Sequence, residues 1–211
     1  MENYKSQHGQ DKWLNENFFK NKKGGSFIEI GAYDGIAFSN TYYYEVELGW
    51  TGICVEPLTY LWDSLRKSRS CFCFNCAISD TTGILPFKQI RGYTSMLSGL
   101  VGEYDVRHLN RVDTELKTIE GNSTETIMVE ARSLSDVISE TPMKHFDLCS
   151  IDVEGGELGV LKSIDFTKYT IDFFVIENFF EDKEIREFLR KKGYSLVANL
   201  GCDDVFKRGE V

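Results

Sequence analysis

Short apolar segments alternate with amphipathic segments along most of the chain, and this alternation limits the possible folds more than any other feature. An apolar run of about four to eight residues between turn residues predicts a buried strand, whereas apolar residues at roughly every third or fourth position predict a helix. Strands that alternate with helices form a parallel sheet that helices cover on both faces. The predicted strands are 26–31, 52–56, 71–78, 146–151, 171–176, 194–198 and 205–207, and the predicted helices are 39–48, 58–67, 154–163 and 181–192.

The last two predicted strands are separated only by the turn at 199–203. Since no crossover helix fits between them, they should pair antiparallel. The sequence therefore predicts an α/β fold with a mostly parallel sheet.

Residues 84–132 interrupt the alternation. We expect two extra strands at 84–87 and 126–131, joined by a polar, partly helical stretch. Long insertions in compact domains are often functional, so this one is interpreted as a lid over the substrate; a plain surface loop is the alternative. The rest of residues 1–211 should form a single domain, either alone or as one domain of a longer protein.

The net charge is −9, from 24 basic and 33 acidic side chains among 211 residues. A nucleic-acid partner is not expected, because phosphate binding needs a basic surface. Membrane insertion is not expected either, because no apolar run approaches the roughly 18 residues of a spanning helix. A small-molecule or glycan ligand fits this charge better, and the oligomeric state is left open.

Six cysteines are present, and Cys71, Cys73 and Cys76 lie in one predicted strand. A metal cluster would need a fourth ligand, so buried strand thiols are the favoured interpretation. Free thiols are typical of a reducing compartment, which indicates a cytoplasmic location.

The first predicted strand ends in an ExGxxxG turn formed by Glu29, Gly31 and Gly35. Glycines allow a tight turn and a close approach of the backbone to a ligand. Open α/β sheets bind ligands at this carboxyl edge of the strands. The spacing is not GxGxxG, so the signature for a dinucleotide pyrophosphate is absent.

Glu56 ends the second predicted strand, 25 residues after Gly31. An acidic side chain at this position can accept hydrogen bonds from ribose hydroxyls. An exposed loop carboxylate is the alternative. Together the two motifs favour a nucleoside bound without pyrophosphate, such as S-adenosylmethionine, over NAD.

The ordered set of short motifs resembles the FkbM-type family of S-adenosylmethionine-dependent O-methyltransferases. The resemblance implies a Rossmann-like class I methyltransferase with a seven-stranded sheet of order 3-2-1-4-5-7-6, its last strand antiparallel. It also implies that the N-terminal segment 1–24 covers the cofactor. The motifs that carry it are 6–11 (SQHGQD), 27–35 (FIEIGAYDG), 39–41 (SNT), 49–57 (GWTGICVEP), 75–78 (NCAI), 148–155 (LCSIDVEG) and 193–194 (GY).

The resemblance also implies roles for individual residues. Ser39 would hold the methionine carboxylate, since a helix N-terminus favours an anion. Glu56 would bind ribose, and the turn at 77–78 would border adenine. The implied cofactor-binding residues are Gln10, Glu29, Gly31, Ala32, Tyr33, Asp34, Gly35, Ser39, Glu56, Pro57, Ala77, Ile78 and Asp152.

Polar residues follow the fourth and fifth predicted strands. Asp152 follows the fourth strand, and Glu177 and Asn178 follow the fifth. Adjacent strand ends lie about 5 Å apart, so these side chains can meet over one site. Three oxygen ligands suit Mg²⁺ or Mn²⁺. The set resembles the Asp/Asp/Asn site of catechol-type O-methyltransferases, except that Glu177 replaces the second Asp and Gly155 stands in place of the lysine base. Alternatively, Asp152 only contacts the cofactor and Glu177 caps a helix.

Proton removal from the acceptor needs a modest base. Glu154 is the first candidate and His108 the second, with Asp152 as the third catalytic residue. The acceptor site is predicted in the insertion, at Tyr93, Thr94, Ser95 and Met96.

The expected function is O-methylation of a sugar, with a deoxyhexose of a glycan preferred, assisted by a divalent metal. The sugar follows from the family's known acceptors. The alternatives are O-methylation of a non-sugar molecule, a non-catalytic docking module that binds cofactor, and a nicotinamide oxidoreductase, which the missing GxGxxG motif argues against.

Overall fold

The computed structural model describes residues 3–104 and 106–209. Its strands are β1 Ser26–Ile30, β2 Thr51–Val55, β3 Phe72–Phe74, β4 Ala77–Ile78, β5 Gly83–Arg91, β6 Gly99–Leu100, β7 Ser123–Arg132, β8 His145–Ile151, β9 Thr170–Glu177, β10 Tyr194–Leu200 and β11 Asp203–Arg208. Its α-helices are α1 Gln10–Leu14, α2 Tyr42–Leu48, α3 Thr59–Ser68, α4 Val106–Thr118, α5 Leu134–Ser139, α6 Glu157–Lys162 and α7 Lys183–Lys191.

Seven strands form the central sheet in the order β3-β2-β1-β8-β9-β11-β10. Numbered among themselves, these strands have the predicted order 3-2-1-4-5-7-6. The strand β11 pairs antiparallel with both β9 and β10. The predicted Rossmann-like α/β fold is confirmed.

Both faces of this sheet are covered. Consecutive strand residues point to opposite sides, and residues on each side are buried in a separate apolar cluster. Phe27 and Leu148 belong to one buried cluster, and their neighbours Ile28 and Cys149 belong to another. In the described part of the chain, none of the helices has the length and apolar character to cross a bilayer.

The insertion forms most of a second, four-stranded sheet of order β4-β7-β5-β6. The helix α4 lies between β6 and β7 in the chain. The long antiparallel pair β5 and β7 extends beyond the two short strands predicted at 84–87 and 126–131. Apolar residues that include Phe87 and Val129 pack with Leu58 and Leu61 near α3. The insertion is thereby attached to the main domain beside the carboxyl edge of β2.

The single strand predicted at 71–78 is wrong. The strand is interrupted at Asn75, whose side chain donates a hydrogen bond to the carbonyl oxygen of Glu56 at 2.7 Å. As a result, β3 pairs within the central sheet and β4 pairs within the second sheet. Because β3 is an edge strand, its Cys73 and the preceding Cys71 are only half-buried, whereas Cys76 is buried. All six cysteines are free thiols, and the prediction of buried strand thiols is wrong for Cys71 and Cys73.

Two predicted helices begin later than expected. The helix predicted from 39 starts at Tyr42, although the hydroxyl of Ser39 accepts a hydrogen bond from the Tyr42 N–H at 2.9 Å. The helix predicted from 154 starts at Glu157, because Glu154 and Gly155 adopt positive φ angles of 59° and 112° and form a turn instead. This turn directs Glu154 into the candidate site.

Candidate functional site

A first cleft opens at the carboxyl edge of β1, β2 and β8 and encloses about 930 Å³ of space, including its open mouth. Ligands of open α/β sheets bind at this edge. Eleven of the residues predicted for cofactor or substrate line the cleft: Glu29, Gly31, Tyr33, Ser39, Glu56, Pro57, Ala77, Ile78, Ser95, Met96 and Asp152.

Gly31 is required by close packing at the cleft floor. Its φ angle is 82°, and a Cβ atom at this position would lie 1.9 Å from the carbonyl oxygen of Asp152. A side chain would therefore collide with the backbone after β8. This contact explains the first glycine of the ExGxxxG turn.

Glu29 is bound within the protein. Its carboxylate accepts hydrogen bonds from the hydroxyls of Ser39 and Thr41, from the backbone N–H of Asn40 and from Arg69. Because the Ser39 hydroxyl donates to Glu29, it has no second proton to offer a cofactor carboxylate. Glu29 and Ser39 therefore shape the cleft wall.

Three other predicted residues shape the same loop without lining the cleft. The carboxylate of Asp34 accepts hydrogen bonds from the N–H groups of residues 36 and 37, which closes the turn. Gly35 lies against Ser68 and donates its N–H to the carbonyl oxygen of Ala32 at 2.8 Å.

Glu56 is a buried carboxylate at the cleft, with 4% of its surface exposed. It accepts hydrogen bonds from the backbone N–H groups of Tyr33 and Leu58, both at 2.9 Å. Burial raises the pKa of Glu56 to about 7, although the two hydrogen bonds act to lower it. Its orientation is thus determined before any ligand binds.

Gln10 lies outside the cleft lining. It accepts a hydrogen bond from the His8 N–H and donates one to Asp203, which docks the N-terminal segment on the turn between β10 and β11. The same segment pairs with the cleft residue Phe38 through Ser6. Gln10 is therefore placed to position this segment beside the cleft.

Three carboxylates, which we call the carboxylate cluster, meet beside the cleft. Oxygen atoms of Asp152, Glu154 and Glu177 all lie within 4.8 Å of one another. The guanidinium of Arg111, from α4, lies 3.5 Å from Glu154 and 3.6 Å from Glu177. The Nε2 atom of His108 lies 3.6 Å from Glu154. The insertion thus contributes a cation and an imidazole to the site.

The pKa values of the carboxylate cluster are all raised. Part of the Asp152 surface reaches solvent in the cleft. The surrounding protein desolvates its carboxylate, and this effect, followed by the charges of Asp203 and Glu157, raises the pKa of Asp152 to about 7. Burial, followed by the charge of Asp152, raises the pKa of Glu154 and of Glu177 well above the usual value. These groups can hold or accept a proton near neutral pH.

Asn178 does not join the carboxylate cluster. Its amide donates to Asp204 at 2.8 Å and accepts from the Asp182 N–H at 2.6 Å. The structure therefore brings Glu154 to Asp152 and Glu177 in place of the predicted Asn178. The three carboxylates suit a divalent cation in donor type and spacing, and Arg111 competes with it for two of them.

The predicted acceptor residues separate in the structure. Tyr93 is 81% exposed, and Thr94 is buried outside the cleft lining. Ser95 and Met96 line the cleft, where the Ser95 hydroxyl lies 2.9 Å from the phenol oxygen of Tyr33. This part of the insertion contributes a wall of the first cleft.

A sequence model of the methyltransferase FkbM domain matches residues 29–196, most of the chain. The chain belongs to the FkbM methyltransferase family. The crystal structure of the FkbM methyltransferase from Methylobacillus flagellatus matches 87% of this chain with a TM-score of 0.50 at 12% identity. At this identity the match shows a shared fold alone, and it covers 43% of the Methylobacillus protein.

Two further solved structures are similar at lower TM-scores. A putative O-methyltransferase from Klebsiella pneumoniae matches 98% of this chain and 83% of its own, with a TM-score of 0.48 at 13% identity. The N-terminal domain of human METTL16 in complex with SAH matches 97% of this chain and 68% of its own, with a TM-score of 0.45 at 12% identity. Among curated proteins no sequence matches significantly.

Sequence reasoning missed two residues of this FkbM-family site. The Oδ1 atom of Asn40 is buried at the cleft with no hydrogen-bond partner among the described residues, while its Nδ2 donates to Ser150. The SNT motif contains the signal, because it offers Asn40 next to Ser39. Arg111 had no local signal, because only tertiary packing brings α4 to the carboxylate cluster.

Proposed function

We propose that this protein is an S-adenosylmethionine-dependent O-methyltransferase that acts on a sugar hydroxyl, with a deoxyhexose of a glycan as the preferred acceptor. The observation that carries the proposal is the first cleft, in which the pre-oriented carboxylate of Glu56 faces a ligand space that ends at Asp152. The six free thiols of the protein support a reducing, cytoplasmic location.

The cleft residues have distinct roles toward the cofactor. Glu56 accepts hydrogen bonds from the ribose hydroxyls, and Pro57, Ala77 and Ile78 border the adenine. The unpartnered Oδ1 of Asn40 accepts a hydrogen bond from the ammonium of the methionine part, since a buried acceptor without a partner is costly. We assign this contact to Asn40 because the Ser39 hydroxyl is bound to Glu29.

When bound, S-adenosylmethionine would supply an electrophilic methyl group on a sulfonium, with the thioether as the leaving group when an acceptor oxygen bonds to the methyl carbon in line. The protein must align the acceptor and accept its proton. Alignment alone contributes several kcal/mol (roughly 7 or more in well-oriented systems). Glu154 is the proposed base, because its turn directs the carboxylate into the site, with Asp152 beside it and His108 as the second candidate.

A divalent cation would be held by Asp152 and Glu177, with Glu154 beside it as the base, and it would lower the pKa of a bound hydroxyl. We expect Mn²⁺ to bind the protein and Glu177→Gln to weaken this binding at least about tenfold, because affinity depends on the number of charged ligands. Arg111→Met should strengthen it, since the guanidinium lies 3.5 and 3.6 Å from two of the carboxylates. Electron paramagnetic resonance of Mn²⁺ measures both changes.

The exposed Glu187 of α7 supplies the control for this metal experiment: Glu187→Gln should leave Mn²⁺ affinity unchanged. Absence of Mn²⁺ binding to both the unmodified protein and Arg111→Met would contradict the metal site.

Cofactor affinity should rise with pH through the neutral range. The pKa of Glu56 is raised to about 7, so its carboxylate ionises as the pH rises past this value. Hydrogen bonds to a charged group contribute about 1.5–3 kcal/mol, so the Kd for S-adenosylmethionine should fall about tenfold between about pH 6 and pH 8. Glu56→Gln should weaken binding and remove most of this pH dependence in calorimetric titration.

Asp63→Asn, on the exposed side of α3, is the matched control and should bind like the unmodified protein. The neighbouring Tyr60 stays neutral over this range because burial, then Tyr33 and Glu56, raises its pKa from 10. A Glu56→Gln variant with the original affinity and pH profile would place the ribose elsewhere. No binding of S-adenosylmethionine or its demethylated product would reject the methyltransferase and favour a docking module.

A further inference from the structure

Among the described residues, the side chains that line the first cleft include four acidic ones and no basic one. The acidic side chains are Glu29, Glu56, Glu103 and Asp152. Glu103 belongs to the insertion, and its carboxylate accepts a hydrogen bond from the hydroxyl of Ser79 at 3.0 Å. Because carboxylates in a cleft attract positive charge and repel negative charge, this lining favours a cationic ligand.

Two guanidiniums lie behind the lining, and each is held by two carboxylates. The fully buried side chain of Arg69 is bound to Glu29 and Glu45. Arg111 lies 3.5 and 3.6 Å from two members of the carboxylate cluster, and the imidazole of His108 lies 3.6 Å from one of them. The guanidinium charges are thus balanced locally and do not offset the acidic lining.

Carboxylates outnumber cations at the Asp152 end of the cleft. Oxygen atoms of Glu154 and Glu177 lie within 4.8 Å of the Asp152 carboxylate. The other side chains whose charges act most strongly on Asp152 are the acidic Asp203, Glu157 and Glu29 and the basic Arg111. The exposed His8 offsets part of the charge of Asp203. A positive charge on a ligand would therefore be stabilised at this end of the cleft.

Methyl transfer changes the charge of the proposed cofactor at one atom. S-adenosylmethionine carries a sulfonium, whereas its demethylated product, S-adenosylhomocysteine, carries a neutral thioether in the same place. The adenine, ribose, ammonium and carboxylate are common to both molecules, so their contacts largely cancel when the two affinities are compared. What remains is the sulfonium charge and the methyl group itself.

The sulfonium would lie at the acidic end of the cleft, because its methyl group has to point toward the proposed base, Glu154. At the effective dielectric constant of a protein, an uncompensated carboxylate roughly 7 Å from a unit charge changes a binding constant by more than a factor of ten. The charge of the lining is therefore large enough to separate the cofactor from its product.

We propose that the first cleft distinguishes the cofactor from its product by charge, binding the sulfonium more tightly than the neutral thioether, so that methyl transfer itself promotes product release. This inference rests on the proposed function and adds weak product inhibition to it. As the O–C bond forms and the C–S bond breaks, the electron pair stays with sulfur and the hydroxyl proton passes to Glu154. The positive charge thus leaves the ligand in the cleft.

Three ligands test this charge selection by calorimetric titration: S-adenosylmethionine, S-adenosylhomocysteine and sinefungin, in which a protonated amine replaces the methylated sulfonium. A chelator is present throughout, because a bound divalent cation would cancel part of the acidic charge. We expect the Kd values of both cationic ligands to lie at least about tenfold below that of S-adenosylhomocysteine.

Two variants test which groups are responsible. Asp152→Asn and Glu103→Gln each remove one negative charge from the lining and keep the size of the side chain. Each should reduce the ratio of the product and cofactor Kd values about two- to fivefold, mainly by weakening the cationic ligand. Asp63→Asn, on the exposed side of α3, is the matched control and should leave the ratio unchanged.

The outcomes separate this inference from the proposed function. Binding of S-adenosylhomocysteine at least as tight as that of S-adenosylmethionine contradicts charge selection but leaves the cofactor site in place. If sinefungin binds as weakly as S-adenosylhomocysteine, contacts of the methyl group determine the preference, and charge selection is again wrong. If none of the three ligands binds, the proposed function itself is rejected.

Discussion

Replacing Asp152 by asparagine is expected to lower methyl transfer about a thousandfold, while the Kd for S-adenosylmethionine changes less than about fivefold. Asp152 lines the first cleft and lies within 4.8 Å of Glu154 and Glu177, so it contacts both the ligand space and the groups that accept the proton. Asparagine keeps the size of the side chain and removes its charge. Single-turnover transfer of labelled methyl to a methyl deoxyhexoside measures the loss.

A matched change on the next strand controls for general damage to the sheet. Asp172 lies on β9 near its opposite end, where it is paired with His145 at 2.8 Å. Asp172→Asn should keep the original rate. Full activity of Asp152→Asn would remove Asp152 from the reaction, and a loss confined to cofactor affinity would limit its role to binding.

Replacing Arg69 by methionine is expected to lower the free energy of unfolding by about 3–5 kcal/mol. Arg69 is 5% exposed and is bound to Glu29 at 2.8 Å and to Glu45. Its removal leaves two buried carboxylates without their cation. For a domain of this size the loss corresponds to a decrease in Tm of roughly 6–20 °C, measured by thermal or urea unfolding.

The effect of Arg69→Met should depend on pH. Burial acts to raise the pKa of Glu45, but the charge and hydrogen bonds of Arg69 and Ser70 outweigh it, so this pKa lies below its usual 4.5. A carboxyl whose pKa is lowered by folding stabilises the protein above its unfolded pKa and loses this contribution as the pH falls. The difference in the free energy of unfolding between the variant and the unmodified protein should therefore be largest near neutral pH and smaller in acid.

An exposed ion pair supplies the control for Arg69. Lys168 is 70% exposed and lies 3.2 Å from Asp165, so Lys168→Met should leave the Tm unchanged within error, because exposed pairs contribute little. If Arg69→Met unfolds at the original temperature, the buried network around Glu29 does not stabilise the fold.

Local patterns were sufficient to predict the sheet and the position of its ligand edge. The order of the seven strands was implied by the family resemblance, and the structure confirms it. Gly31 could also be singled out, since a turn that approaches another backbone so closely excludes any side chain. The single strand at 71–78 was wrong because apolar periodicity does not show that Asn75 bonds to Glu56 and breaks the strand.

The partners of the polar site residues could not be read from the sequence. The SNT motif offered both Ser39 and Asn40, and only the buried contacts show that Ser39 is bound to Glu29 while Asn40 keeps an unpartnered oxygen. Likewise, Asn178 follows the right strand, but its amide is bound to Asp204.

The sequence by itself determined the fold class, the glycine turn and the acidic residues at the carboxyl edge, because strand and helix periods and backbone sterics act over a few neighbouring residues. Tertiary structure alone decided that Glu154 completes the carboxylate cluster and that Arg111 compensates it. These contacts join α4 to segments more than 40 residues away, as in the pair Arg111 and Glu154. Their geometry depends on how the insertion packs against the sheet, and no local pattern of residues encodes that packing.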